Sequence, residues 1–130
     1  MEKPTPSVVH IVDDDEAVRD SMRVLLESYG FGVRDYASAA DFLAANRKSI
    51  EGCLLLDLHM PGMTGLELLE LLRGRGYGLP VIVITGRSDS LLKERAVRAG
   101  ALALLDKPVD EDVLLECLTR ASAALKAHPH

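Results

Sequence analysis

Apolar residues follow two alternating patterns along the chain. Val8 to Val12, Cys53 to Leu56, Val81 to Ile84 and Ala101 to Leu105 are short apolar runs, interrupted only by His10. Runs of this length without alternation read as strands buried on both faces. Val33 to Tyr36 is a weaker strand candidate. Between the runs the spacing becomes helical. Val18, Met22, Leu25, Leu26 and Tyr29 recur on one face, and Gly30 and Gly32 break that helix. Ser38 is placed to N-cap a helix through Asn46. Pro61 and Gly62 make a turn, and Thr64 and Glu67 have capping-box spacing ahead of Leu68. Leu66, Leu69 and Leu72 form a core stripe. A helix from about Ser90 stops at Gly100, and Asp110 caps a last helix with Leu114, Cys117, Leu118 and Ala121 on one face.

Strand and helix thus alternate through five units. That predicts an α/β fold: a doubly wound, five-stranded parallel sheet of flavodoxin-like order 2-1-3-4-5, with helices on both faces and right-handed crossovers. One domain is expected over residues 7–126, with flexible termini at 1–6 and 127–130.

Composition narrows the class. The 130 residues are 48% hydrophobic and 27% charged, enough apolar material for a core. A net charge of -5 gives no electrostatic footprint for nucleic acid, so this domain is not expected to bind it directly. No apolar run is long enough to span a bilayer and the first residues carry no signal-peptide stretch, so no membrane partner and a cytoplasmic address are expected. Cys53 and Cys117 lack metal-ligand spacing and read as packing residues. His10, within the first strand, reads as a packed histidine, and His128 and His130 as tail residues.

Ligands of an open parallel sheet sit beyond the carboxyl ends of its strands. There the chain places Asp13, Asp14 and Asp15 after strand 1, Asp57 after strand 3, Thr85 with Gly86 after strand 4, and Lys107 with Pro108 after strand 5. Clustered carboxylates call for a proton or a cation among them. An all-oxygen set suits a hard ion such as Mg²⁺. A carboxylate can act as a nucleophile toward phosphorus, with a lysine and a hydroxyl supporting the phosphoryl oxygens. Singly, each placement has a plainer reading: helix N-terminal acids, a loop aspartate, a strand-end threonine, a solvated lysine. One site accounts for all four.

The stretches VHIVDDD, LLLDLHMPGMTGLELL, VIVITGRSD and AGALALLDKP resemble receiver domains of bacterial response regulators, most closely the FixJ-like ones, from Val8 to about Ala124. The resemblance implies a two-component phosphoacceptor module, a signalling protein that catalyses its own aspartyl phosphorylation and dephosphorylation. It makes Asp57 the phosphoacceptor, Thr85 the switch hydroxyl and Lys107 the phosphoryl-binding lysine. Asp13, Asp14, Asp57 and the backbone carbonyl of His59 would hold Mg²⁺, with Mn²⁺ as the alternative. Asp14 would ligate directly and Asp13 partly through water; Asp15 has no ligand role. The Lys107–Pro108 bond matches one that is cis in the family.

The implied partners are a cognate histidine kinase and, through the face of helix 4, strand 5 and helix 5, a second copy of the chain. Leu91 and Leu102 are the apolar residues expected to be exposed there. The side chains of His59 and Arg87 flank the site, either tuning water access or facing solvent. Leu104 stands where receivers often carry Tyr or Phe, which puts an aromatic switch in doubt. The chain is expected to be the N-terminal part of a transcriptional regulator or a stand-alone receiver. A haloacid dehalogenase-type phosphotransferase, for which Asp13 and Asp15 loosely fit an acid pair, is the enzyme alternative; a pseudo-receiver that only binds is the other.

Overall fold

A computed structural model describes residues 8–60, 62–86 and 90–127, with side chains to residue 125. The expectations for residues 1–6, Pro61, Arg87, His128 and His130 lie outside the described residues. The elements alternate as β1 (Val8–Val12), α1 (Glu16–Ser28), β2 (Gly32–Tyr36), α2 (Ala39–Ala45), β3 (Cys53–Asp57), α3 (Gly65–Gly74), β4 (Val81–Thr85), α4 (Ser90–Arg98), β5 (Ala103–Asp106) and α5 (Glu111–Ala127). All strand pairs are parallel, in the expected order β2-β1-β3-β4-β5.

The apolar runs explain the layering. Every residue of β3 and β4 is buried, as strands covered on both faces require. On one face Leu54, Leu56, Val81 and Val83 pack with Phe42, Leu68, Leu69 and Leu72. On the other, Leu55, Ile82 and Ile84 pack with Leu26, Leu114 and Leu118. Each fully buried leucine contributes roughly 2 kcal/mol from lost apolar exposure. β2, at the edge, has no fully buried residue, which is why its apolar signal is weak.

The helix ends follow local chemistry. Thr64 and Glu67 close the capping box of α3, and Ser38 caps α2. At the end of α1, Gly30 and Phe31 donate back to Glu27 and Leu26; at the end of α4, Gly100 and Ala101 donate back to Val97 and Ala96. This is the Schellman arrangement, with each glycine at positive φ. It also corrects the fifth strand. Ala101 is taken up in ending α4, so the first bond to β4 is from the Leu102 N–H to Val81 O at 2.8 Å and the paired register runs from Ala103 opposite Ile82, not from Ala101. Leu102 is half-buried against the α1–α5 core rather than exposed, whereas Leu91 is exposed. Among the described residues no helix is long and apolar enough to cross a membrane.

Candidate functional site

Strand order reverses at β1, so a crevice opens between the carboxyl ends of β1 and β3. Asp13 follows β1 directly and Asp57 is the last residue of β3. Both side chains are buried, whereas Asp14 is exposed. One carboxylate oxygen from each of Asp13, Asp14 and Asp57 lies within 4.8 Å of the others. Lys107, just past β5, reaches the pair: its Nζ is 3.1 Å from Asp13 Oδ2 and 3.7 Å from Asp57 Oδ2. Thr85 ends β4 and is buried, and its carbonyl accepts from the Lys107 N–H at 2.9 Å. The sheet therefore brings Asp13, Asp14, Asp57, Thr85 and Lys107 to one end.

Local geometry fixes Asp57. Its Oδ1 accepts from the His59 N–H at 3.2 Å, and the Leu58 N–H donates to Ile84 O. Gly65 passes so close that a Cβ there would lie 1.9 Å from Asp57 O, which leaves room only for glycine. Asp13 is held as firmly: Oδ1 accepts from the Asp15 N–H at 2.9 Å and Oδ2 from Lys107. Asp15 is not among the clustered carboxylates. Its Oδ1 accepts from Ala17 N and Val18 N, capping α1. The Lys107–Pro108 peptide is cis.

The electrostatics are unbalanced, three carboxylates against one ammonium. Burial first, and then the neighbouring charge of Asp13, raise the Asp57 pKa above the usual carboxylate range; the His59 N–H and Lys107 only partly oppose this. Burial alone would lower Lys107, but its bond to Asp13 and the charges of Asp13, Asp57 and Asp14 outweigh that and raise it. Buried like charges lacking a full complement of counter-charge fit a cation, and a donor set of oxygens only fits a hard divalent one. His59 does not simply face solvent, because its Nε2 is buried and has no hydrogen-bond partner among the described residues.

Two residues at the edge of the site had no signal in the sequence. Arg19 Nη1 donates to Asp13 O at 2.8 Å, and Arg19 Nε to Asp35 Oδ2 at 3.2 Å. Arg19 occupies an unremarkable helical position, and Asp35 comes near it only through the pairing of β1 with β2.

Fold and site together define a flavodoxin-like domain with an acidic, lysine-bearing centre at its strand-order switch. The model of the response regulator receiver domain matches residues 9–119. The chain belongs to that family. It is similar to the transcriptional regulatory protein FixJ of Azorhizobium caulinodans, 44% identical over 95% of this chain and 58% of that protein. It is also similar to the C4-dicarboxylate transport transcriptional regulatory protein DctR of Rhodobacter capsulatus, 42% identical over 89% of this chain and 60% of that protein. Among solved structures, FixJ-N matches with a TM-score of 0.84 and 41% identity over 92% of this chain and 96% of that one. A CheY-like receiver from Methanospirillum hungatei matches with a TM-score of 0.87 and 32% identity over 95% and 98%. The chain spans about three fifths of the curated relatives it matches.

Proposed function

We propose that residues 7–126 act as a phosphorylation switch in which Asp57 accepts a phosphoryl group from a phosphohistidine of a cognate histidine kinase. The observation that carries this reading is Asp57 itself: buried at the end of the central strand, 3.7 Å from Lys107 and clustered with Asp13 and Asp14. An Asp57 oxygen attacks phosphorus, the new P–O bond forms as the P–N bond breaks, and the imidazole leaves with the bonding electrons. Lys107 offsets charge on the transferring oxygens, and the Thr85 hydroxyl donates to one of them. Asp13, Asp14, Asp57 and the His59 carbonyl would hold Mg²⁺, or Mn²⁺ in its place. When bound, the ion supplies further neutralisation of phosphoryl charge. Hydrolysis of the aspartyl phosphate at the same site resets the switch.

The output reading is that Thr85, moving with phosphorylation, repacks α4 and β5. Leu104 is half-buried against the core on that side and Leu91 is exposed on α4, which supports homodimer formation through the α4–β5–α5 face. FixJ and DctR are transcriptional regulators by name, and we infer that this domain serves in such a regulator or as a stand-alone receiver. The test is intact mass after incubation with acetyl phosphate and Mg²⁺. One added phosphoryl group is expected on the wild type and none on Asp57→Asn; comparable uptake by the variant overturns the assignment.

A further inference from the structure

Asp13, Asp14 and Asp57 are not held alike. Asp13 has both carboxylate oxygens engaged, and Asp57 has the His59 N–H and nearby Lys107. Asp14 is exposed, and its carboxylate takes no hydrogen bond among the described residues. Among the described residues, what places that carboxylate is therefore its backbone. The peptide that carries Asp14 begins at the carbonyl of Asp13, and that carbonyl accepts from Arg19 Nη1 at 2.8 Å. Arg19 is itself braced: its Nε pairs with Asp35 Oδ2 at 3.2 Å, while Asp35 Oδ1 takes Arg23 Nη1 at 3.0 Å. Asp35 lies in register with Ile11 on the neighbouring strand, and the Asp13 N–H donates to Tyr36 O at 3.2 Å. Both backbone groups of Asp13 are thus tied to β2, one directly and one through Arg19, whose side chain is 14% exposed.

We propose that Arg19 is a positioning residue: by clamping the Asp13 carbonyl it sets the plane of the Asp13–Asp14 peptide and so aims the Asp14 carboxylate at the cation. The inference rests on the reading of the acidic cluster as a Mg²⁺ site. Its sign separates it from plain electrostatics. Arg19 is a cation close to the site, so deleting its charge would, by relief of Coulomb repulsion alone, tighten Mg²⁺ binding. A positioning role demands the opposite, on the scale that residues orienting metal ligands show, about tenfold or more.

The test is calorimetric titration of Mg²⁺ into the phosphodonor-free protein, beside the Mg²⁺ concentration for half-maximal phosphorylation by acetyl phosphate. Arg19→Met is expected to weaken Mg²⁺ roughly tenfold in both measurements, with the rate at saturating Mg²⁺ returning to that of wild type. Arg19→Lys keeps the charge but cannot span the carbonyl and Asp35 as a planar fork does, so it too should weaken Mg²⁺, by less. Unchanged or tighter Mg²⁺ binding in Arg19→Met overturns the proposal. If that variant does not fold, wild-type affinity in Arg19→Lys overturns it. So does a fallen saturated rate with Mg²⁺ affinity intact. A wild type that binds Mg²⁺ but takes no phosphoryl group on Asp57 refutes the phosphorylation reading and leaves the Arg19 titration standing.

Discussion

His10 and Asp13 lie three residues apart on the same strand and its exit, and both are almost wholly buried, at 1% and 3% exposure. Their surroundings differ in kind. His10 Nε2 is 2.8 Å from the Glu51 carbonyl, which can only accept, so that nitrogen carries the proton. Nδ1 then accepts from the Tyr36 hydroxyl at 3.1 Å, and the Tyr36 oxygen in turn accepts from Asn46 Nδ2 at 3.2 Å. Phe42 packs edge-on against both the His10 and Tyr36 rings. Every polar atom of the His10 ring is satisfied and no charge is buried. At the strand exit, Asp13 belongs to a group with surplus negative charge, an aspartate pushed toward protonation and an imidazole nitrogen with no partner among the described residues. Equal burial thus serves opposite ends. A completed polar network stabilises the middle of β1, whereas the carboxyl end carries the unbalanced charge that the proposed cation and phosphoryl group would complete.

The largest expected effect breaks the finished end. His10→Ala removes a packed ring and strands the Tyr36 hydroxyl and the Glu51 carbonyl, a cost of about 3 kcal/mol. For a domain of this size that is a fall in Tm of roughly 12 °C. Tyr36→Phe removes one hydroxyl between His10 and Asn46 and should cost about 1 kcal/mol. Thermal melts by circular dichroism check both. A His10→Ala melt within a degree or so of wild type would mean that the ring is not part of the stabilising network.

The unfinished end should respond with the opposite sign. In metal-free buffer at neutral pH, Asp57→Asn removes a buried charge repelled by Asp13 and keeps the shape. A gain on the order of 1 kcal/mol is expected, about 4 °C in Tm. Added Mg²⁺ should stabilise the wild type by mass action and the variant less, so the gap narrows or inverts. A variant less stable than wild type without metal would show that the Asp57 charge is already well compensated.

How much of this contrast could be read in the chain depends on distance in sequence. Asp13, Asp57 and Thr85 each directly follow an apolar run and Lys107 comes one residue beyond, after Asp106, so the rule that parallel sheets bind at strand ends gathers them. The capping roles of Thr64 and Ser38 were legible because they are local. The fifth strand's start is not legible because Ala101 and Leu102 are as apolar as the strand they precede, and only the ending of α4 decides where the paired register begins. His10 reads as packed, but its partners Tyr36 and Glu51, and Asn46 behind Tyr36, come from three other segments and could not be assigned. The same holds for Arg19 and Asp35, which meet through strand pairing alone.

The smallest effect, and the sharpest discriminator, is the pH dependence of the two ends. Burial lowers the His10 pKa, and Arg34 on the adjacent strand adds to this while the Glu51 carbonyl partly opposes it. A depressed histidine contributes stability that is present above its unfolded value of about 6.5 and is lost as pH falls through the folded value. Asp57 is raised, so its contribution has the reverse sense. It is present in full below the unfolded value of about 3.9 and is lost as pH rises through the folded one. In metal-free buffer, the stability advantage of Asp57→Asn over wild type should therefore be greatest at neutral pH and shrink as acid approaches the carboxylate range. The stability deficit of His10→Phe, which keeps a ring of similar bulk but cannot titrate, should also shrink on acidification, but starting near pH 6.5. Urea midpoints for the three proteins from pH 8 to 4 would separate the two onsets. An Asp57→Asn advantage constant across that range would mean that Asp57 does not titrate differently in the folded protein. A His10→Phe deficit that changes only below pH 5 would mean that the lower acid limb belongs to carboxylates and that His10 takes its proton in the folded state as readily as in the unfolded chain.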